Sequence, residues 1–193
     1  MARPREFDPD TALDRAMQVF WARGYEATSL DDLCEATGLS RSSLYAAFGD
    51  KRDLLLQSLD LYSDRGAARF MAALALRPIR KALRKILDEF IDQIVAGPGR
   101  RGCFVGNCVA ELAGGNREAL VRVRRILARN EAIFREALAQ AKRRGELSPA
   151  ADPAALARFI TAGLQGLRLF GKANPDRAAL DDIAAVMLRC LHA

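Results

Sequence analysis

Residues 28–51 read TSLDDLCEATGLSRSSLYAAFGDK, and the rest of the chain is organised around them. Ser29, with Asp32 three residues on, has the capping-box spacing in which side-chain oxygens take up the free N–H groups of a helix start. Leu30 and Leu33 are the apolar positions of that helix. Gly38, able to take positive φ, breaks it after Thr37. Ser40 caps a second helix whose Leu44 and Phe48, four apart, share one buried face. The opposite face is small and polar: Arg41, Ser42, Ser43, Tyr45, Ala46 and Ala47. Two short helices at a steep angle, the second slim on its outer side, fit a DNA major groove. They also fit an ordinary corner of any all-α protein, and the spacing alone does not choose.

Gly38-Leu39-Ser40-Arg41-Ser42-Ser43-Leu44-Tyr45, followed by Phe48 and Lys51, resembles the DNA-binding signature of the tetracycline-repressor (TetR) family. Upstream, Phe20, Gly24-Tyr25, Thr28 and Ser29-Leu30 are similar to that family's first helix and the approach to its second. At Ala46 and Ala47 many relatives carry His or an aromatic residue. This chain has only methyl groups there, a face that reads thymine methyls or reads little. The resemblance implies an all-α fold of about nine helices. A three-helix helix-turn-helix DNA-binding domain over residues 1–50, with its motif at about 29–48, would precede a larger helical ligand-binding and dimerisation domain over 51–193. It also implies a contact set. Arg41, Ser42, Ser43 and Ala46 are placed for bases, and Thr28, Ser29, Tyr45 and Lys51 for phosphates, with Ser40 at the cap between them.

Composition bounds the remaining possibilities. The 193 residues are 50% hydrophobic, enough for one compact or two small domains with real cores. No run of 18 apolar residues occurs, so no membrane partner or span is expected, and the N-terminus lacks an apolar signal region. A cytoplasmic location is the expectation. Cys34, Cys103, Cys108 and Cys190 show no paired metal spacing, and His192 is the single histidine. Neither a Gly-rich phosphate loop nor a carboxylate–histidine cluster is present. No metal, cofactor or enzymatic activity is expected. The formal net charge is +6, but its distribution does not favour the DNA-reading end. Residues 1–55 carry 7 basic and 10 acidic side chains, so that end is net acidic. Only Arg41, Lys51 and Arg52 lie at the expected DNA edge, and charges beyond a Debye length of roughly 8 Å are screened.

A helix from about Pro9 to Gly24 is marked by Leu13, Ala16-Met17 and Phe20. Trp21 and Tyr25 read as core or hinge packing, and Arg3 and Arg5 as a short basic arm. Asp50 or its neighbour caps a long helix through about Leu76. Pro78 suits a first helical position, ahead of a stripe of Ile79, Leu83, Ile86, Phe90 and Ile94. Gly97 to Gly102 reads as a loop. Gly102-Cys103, Asn107 and Glu111-Leu112 resemble a short helix of one TetR subgroup. Asn116 opens a helix of nearly 30 residues whose inner stripe includes Asn130, a polar residue that must be bonded to a neighbouring helix or line a cavity. The arginines around it read mostly as a solvated face. Two further helices, from Asp152-Pro153 to about Lys172 and from Asn174-Pro175-Asp176 to Leu191, are apolar over more than one face.

The surplus on those last helices reads as a homodimer face, with Gly163, Leu164, Gly166, Leu167, Ile183, Met187 and Leu191 as candidates; packing within the chain is the alternative. The candidate ligand cavity is lined by Phe90, Ile94, Cys103, Phe104, Asn107, Cys108, Asn130, Phe134, Phe159 and Phe170. The resemblance then implies a dimeric regulator, a repressor of a palindromic double-stranded operator, released by a small-molecule effector. Two other functions fit the residues. Cys103, at a helix start beside Arg100 and Arg101, suits a thiol sensor of electrophiles or oxidants. The thin face at Ala46 and Ala47 suits a small-molecule-binding module with weakened DNA recognition.

Overall fold

The computed structural model describes residues 7–112 and 117–192. Among them the backbone forms nine α-helices and no strand: α1 (Pro9–Arg23), α2 (Leu30–Thr37), α3 (Arg41–Phe48), α4 (Lys51–Leu74), α5 (Ile79–Val95), α6 (Phe104–Leu112), α7 (Arg117–Arg143), α8 (Pro153–Ala173) and α9 (Arg177–Arg189). Single 3-10 turns follow α5 at Pro98–Arg101 and α9 at Cys190–His192. The basic arm of Arg3 and Arg5 and the helix start at Asn116 lie outside the described residues.

The helix starts follow their local chemistry. Asp8 accepts the backbone N–H groups of Asp10 and Thr11 and so caps α1. Ser29 accepts from Asp32 N at 3.1 Å while the Asp32 carboxylate accepts from Ser29 N at 2.8 Å, the reciprocal box expected for α2. Those bonds from Ser29, with the Arg23 guanidinium, hold the Asp32 carboxyl down at about 2. Its contribution to the fold is therefore complete above the unfolded value near 4 and fades as pH falls towards 2. Gly38 ends α2 at φ +73, a left-handed turn that a side chain would strain. Ser40 caps α3, and Asp50 with Asp53 forms a second capping box at α4. Pro78 departs from its expected place. With extended ψ it precedes α5 instead of forming its first helical residue. The Gly97–Gly102 segment contains the 3-10 turn where only loop was expected.

Two apolar cores result. The lower one joins Phe20, Leu33, Leu44 and Leu55 to Phe104 of α6 and Val123 of α7. The upper one joins Ile86 and Ile91 of α5 to Phe134, Leu164 and Leu180. The helix-turn-helix thus shares its core with α6 and α7, and the apolar packing does not divide at residue 50. Arg122 and Arg129 are not simply solvated: they pair with Asp60 and Asp64 across to α4.

The outer surface of α8 differs most from expectation. Leu164, Leu167, Met187 and Leu191 are buried in the chain's own upper core. Gly163 serves the same packing, since a Cβ there would lie 2.5 Å from the Met187 methyl. Of the expected dimer set, Gly166 is exposed and Ile183 half-buried. The outward stripe is instead Phe159, Ala162, Gly166, Leu169 and Phe170, with Val186 exposed on α9. Leu169 is 71% exposed. A helix apolar on several sides carries no phase that says which side meets its own core.

Candidate nucleic-acid interface and candidate ligand cavity

The exposed side of α3 carries Arg41, Ser42, Tyr45 and Ala46, while Leu44 and Phe48 hold its inner side to the lower core. Ser40 is occupied as a cap: its hydroxyl accepts from Ser43 N at 3.1 Å and lies 3.0 Å from the Ser42 hydroxyl. Ser43 is half-buried, its hydroxyl 2.9 Å from that of Ser40. Arg41 reaches back to α2 and forms a forked pair with Asp31, at 2.7 and 2.8 Å from one terminal nitrogen. Both side chains are exposed, so this is a weak, exchangeable tether. Lys51 stands at the first turn of α4 with its ammonium 4.4 Å from the centre of the Tyr25 ring.

Thr28 departs from the phosphate role expected of it. It is buried, and its hydroxyl donates to the Gly24 carbonyl at 2.5 Å, so it fixes the α1–α2 turn. The Ser29 hydroxyl is likewise committed to Asp32, although the residue remains exposed.

Segment 101–111 grips this head from the body side. Trp21 donates its indole N–H to the Gly102 carbonyl at 3.2 Å. The Arg101 guanidinium lies 4.2 Å from the Trp21 ring centre and donates to Gln18 at 2.8 Å. The Glu111 carboxylate accepts the backbone N–H groups of Tyr25 at 2.9 Å and Glu26 at 2.7 Å. Gly24 leaves room for it; a Cβ there would sit 2.7 Å from a Glu111 oxygen. The hinge reading of Trp21 and Tyr25 corresponds to these contacts, whereas Glu111 carried no signal as a clasp.

Between the two cores lies a cavity with about 30 Å³ of room for the centre of a water-sized sphere, within about 510 Å³ of empty space that includes the open solvent at its mouth. Phe90, Cys103, Asn130 and Phe134 line it as the sequence suggested. The other candidates do not. Ile94 packs in the upper core against Gly171, and Phe104 and Cys108 in the lower core. Asn107 donates to the Arg101 carbonyl at 2.8 Å. Phe159 and Phe170 point outward on α8. Their places are taken by Tyr62, Ser63 and Phe70 of α4 and by Thr161, Gln165 and Arg168 of α8. A recoverable signal was present: Thr161, Gln165 and Arg168 recur at helical spacing beside buried Leu164.

Cys103 is buried, its sulfur 3.8 Å from the Tyr62 hydroxyl, which in turn accepts from Arg168 at 2.6 Å. Burial, with Cys103 beside it, pushes the Tyr62 hydroxyl up to about 12, so it remains protonated. Arg101, expected beside Cys103 together with Arg100, turns to Trp21 and Gln18. Burial pushes the Cys108 thiol up to about 12 as well. All four cysteines are free thiols. Among the described residues no cluster suits a metal ion, and no helix is long and apolar enough to cross a membrane.

Comparison with known proteins gives a consistent picture. Residues 12–58 match the family described as bacterial regulatory proteins, tetR family, and residues 79–187 match the tetracyclin repressor-like C-terminal domain. The chain is 35% identical to the HTH-type transcriptional repressor ComR of Escherichia coli (strain K12), over 97% of this chain and 90% of the relative. It is 33% identical to the uncharacterized HTH-type transcriptional regulator YezE of Bacillus subtilis (strain 168), over 99% and 100% respectively. Among solved structures, a cysteine mutant of the TetR family regulator CifR, complexed with 26-bp double-strand operator DNA, superposes with a TM-score of 0.84. That pair is 34% identical over 97% of this chain and 98% of the other.

Proposed function

The chain belongs to the tetR family of bacterial regulatory proteins, and on that premise we propose that it is a dimeric transcriptional repressor released from its operator by a small molecule. The observation that carries the DNA-binding part is the capped, slim outer face of α3 with Lys51 immediately behind it. A head of residues 1–50 would read the DNA, and residues 51–193 would pair two copies and hold the effector. The Gly102-Cys103, Asn107 and Glu111-Leu112 pattern supports a place in the subgroup with that short helix. A palindromic operator follows if two α3 helices enter successive major grooves, ~34–36 Å apart or a multiple of that. An effector that prefers a different spacing of the heads lowers DNA affinity by its own difference in affinity for the two forms.

Selection of binding sites from random double-stranded DNA with the purified protein tests this reading. A palindromic consensus is the expected result, and enrichment of no sequence would refute it. Two variants then sort the contacts. Arg41→Ala is expected to relax preference at one position per half-site, by about 1–3 kcal/mol of lost discrimination. Lys51→Ala should weaken all sequences alike and lower the salt slope by about one. A gel-shift series in which Lys51→Ala behaves as the parent at every salt concentration would remove Lys51 from the interface.

One observation favours a second route to the same release: the Cys103 thiol lines the cavity. An electrophile with an activated C=C bond held there would add to Cys103: the sulfur–carbon bond forms as the π bond breaks, and the thiol proton passes by way of solvent to the neighbouring carbon. Labelling of native protein with a maleimide, followed by loss of operator binding, is the expected result for a thiol sensor. Complete inertness of Cys103 would end that reading.

A further inference from the structure

We infer that the cavity between the two cores is built for a small monocarboxylate with an aromatic or short apolar body and a further hydrogen-bonding group. The inference rests on the effector reading above and names the chemistry that site selects.

Arg168 carries the charge argument. It projects inward from α8, its guanidinium carbon 3.9 Å from the centre of the Phe90 ring, and donates at 2.6 Å to the neutral Tyr62 hydroxyl. Arg122, Arg129 and Arg158 on α7 and α8 each pair with a carboxylate. Among the described residues Arg168 has no such partner. A desolvated cation without a counter-charge is costly, and an anion entering the cavity removes that cost. A planar guanidinium with several N–H groups meets a carboxylate through two parallel bonds. Arg69 also lines the cavity but is exposed to water, whereas Arg168 is the more buried of the two, so a single negative charge matches the inner end better than the double charge of a phosphate.

A second observation stands apart from Arg168. Three side-chain oxygens of the described residues are buried without a hydrogen-bond partner: Ser63 Oγ, Asn130 Oδ1 and Thr161 Oγ1. All three line this one cavity. Native proteins pair the large majority of buried polar atoms, so three orphans around one cavity, from α4, α7 and α8, point to a bound group that pairs them. Two hydroxyls and an amide oxygen suit a hydroxyl or amine on the ligand. The rings of Phe70, Phe90 and Phe134 form the apolar remainder and suit a flat, carbon-rich body.

The test is ligand binding to the whole protein in the absence of DNA, by calorimetry and thermal shift. The probes are 4-hydroxybenzoate and benzoate, with benzamide as the neutral isostere and inorganic phosphate as the bare anion. The expected result is binding of the carboxylates, 4-hydroxybenzoate the tighter. At about 100 times its Kd it should raise Tm by about 5–10 °C. Benzamide and phosphate should bind at least tenfold more weakly. Arg168→Gln should remove the preference for the carboxylate over benzamide, and Thr161→Val, which keeps volume, should remove the preference for 4-hydroxybenzoate over benzoate. Circular dichroism reports whether each variant is folded, and should Arg168→Gln fail to fold, Arg168→Met, also neutral and of similar length, replaces it. Equal binding of benzamide, tighter binding of phosphate, or no binding by either carboxylate would overturn the inference. Carboxylate binding without release of the selected operator would leave the site standing and overturn the effector reading.

Discussion

Leu169→Asp is expected to make the protein monomeric and to lower its affinity for a two-half-site operator by about 10²–10⁴-fold. That range is what linking two binding modules contributes through effective concentration, without any change at the contacts themselves. Leu169 is the most exposed large apolar side chain among the described residues, and it shares the outer side of α8 with Phe159, Gly166 and Phe170. Val186 of α9 extends the patch. Exposed apolar patches of this kind mark association sites, and two-fold pairing of α8 and α9 would bring four helices together. A buried aspartate at Leu169 would meet its own copy's symmetry mate across such an interface and would lose its water. Light scattering coupled to size exclusion reads the mass, and titration against the selected operator reads the affinity. Phe159→Asp, ten residues away on the same stripe, should act alike. A Leu169→Asp protein that stays dimeric and binds as the parent would place the interface elsewhere.

Glu111→Ala is expected to loosen the head from the body. The carboxylate accepts two backbone N–H groups of the α1–α2 turn, and bonds to a charged acceptor are worth about 1.5–3 kcal/mol each in favourable settings. Since Glu111 is exposed, a combined loss of about 1–3 kcal/mol is the expected size. Amide hydrogen exchange should accelerate by about tenfold or more at Tyr25 and Glu26. Glu111→Gln keeps one acceptor oxygen and should fall between the two. Unchanged exchange at those amides in Glu111→Ala would show that the clasp holds nothing.

The clasp also connects the two candidate sites. Cys103, just before α6, and Val105 within it line the cavity, and the same helix carries Glu111 near its far end. Tyr25, held by Glu111, lies under the Lys51 ammonium at the DNA edge. A ligand that shifts α6 would therefore act on the turn that orients α2, α3 and Lys51. In Glu111→Ala the ligand should still bind while its effect on operator affinity shrinks, a coupling readable from the two affinities measured with and without the other partner.

The head was legible from the sequence because its signals are local. Ser29 with Asp32, Ser40 with Ser43 and Asp50 with Asp53 satisfy their helix starts within three residues, and Gly38 ends α2 by its own backbone freedom. Leu44 and Phe48 declare the inner side of α3 by spacing alone. Those features determined the all-α class, the helix-turn-helix and the residues that its outer face presents. Tertiary structure decided the rest, where partners lie far apart in the chain. Only folding brings Glu111 to Tyr25, 86 residues away, or Arg168 to Tyr62, 106 residues away. Only packing chose which side of α8 is buried. That helix is apolar on more than one side, so Leu164 and Leu167 turned inward, Phe159 and Leu169 turned out, and a charged arginine closed the cavity that a mainly apolar set with a few polar groups was expected to line.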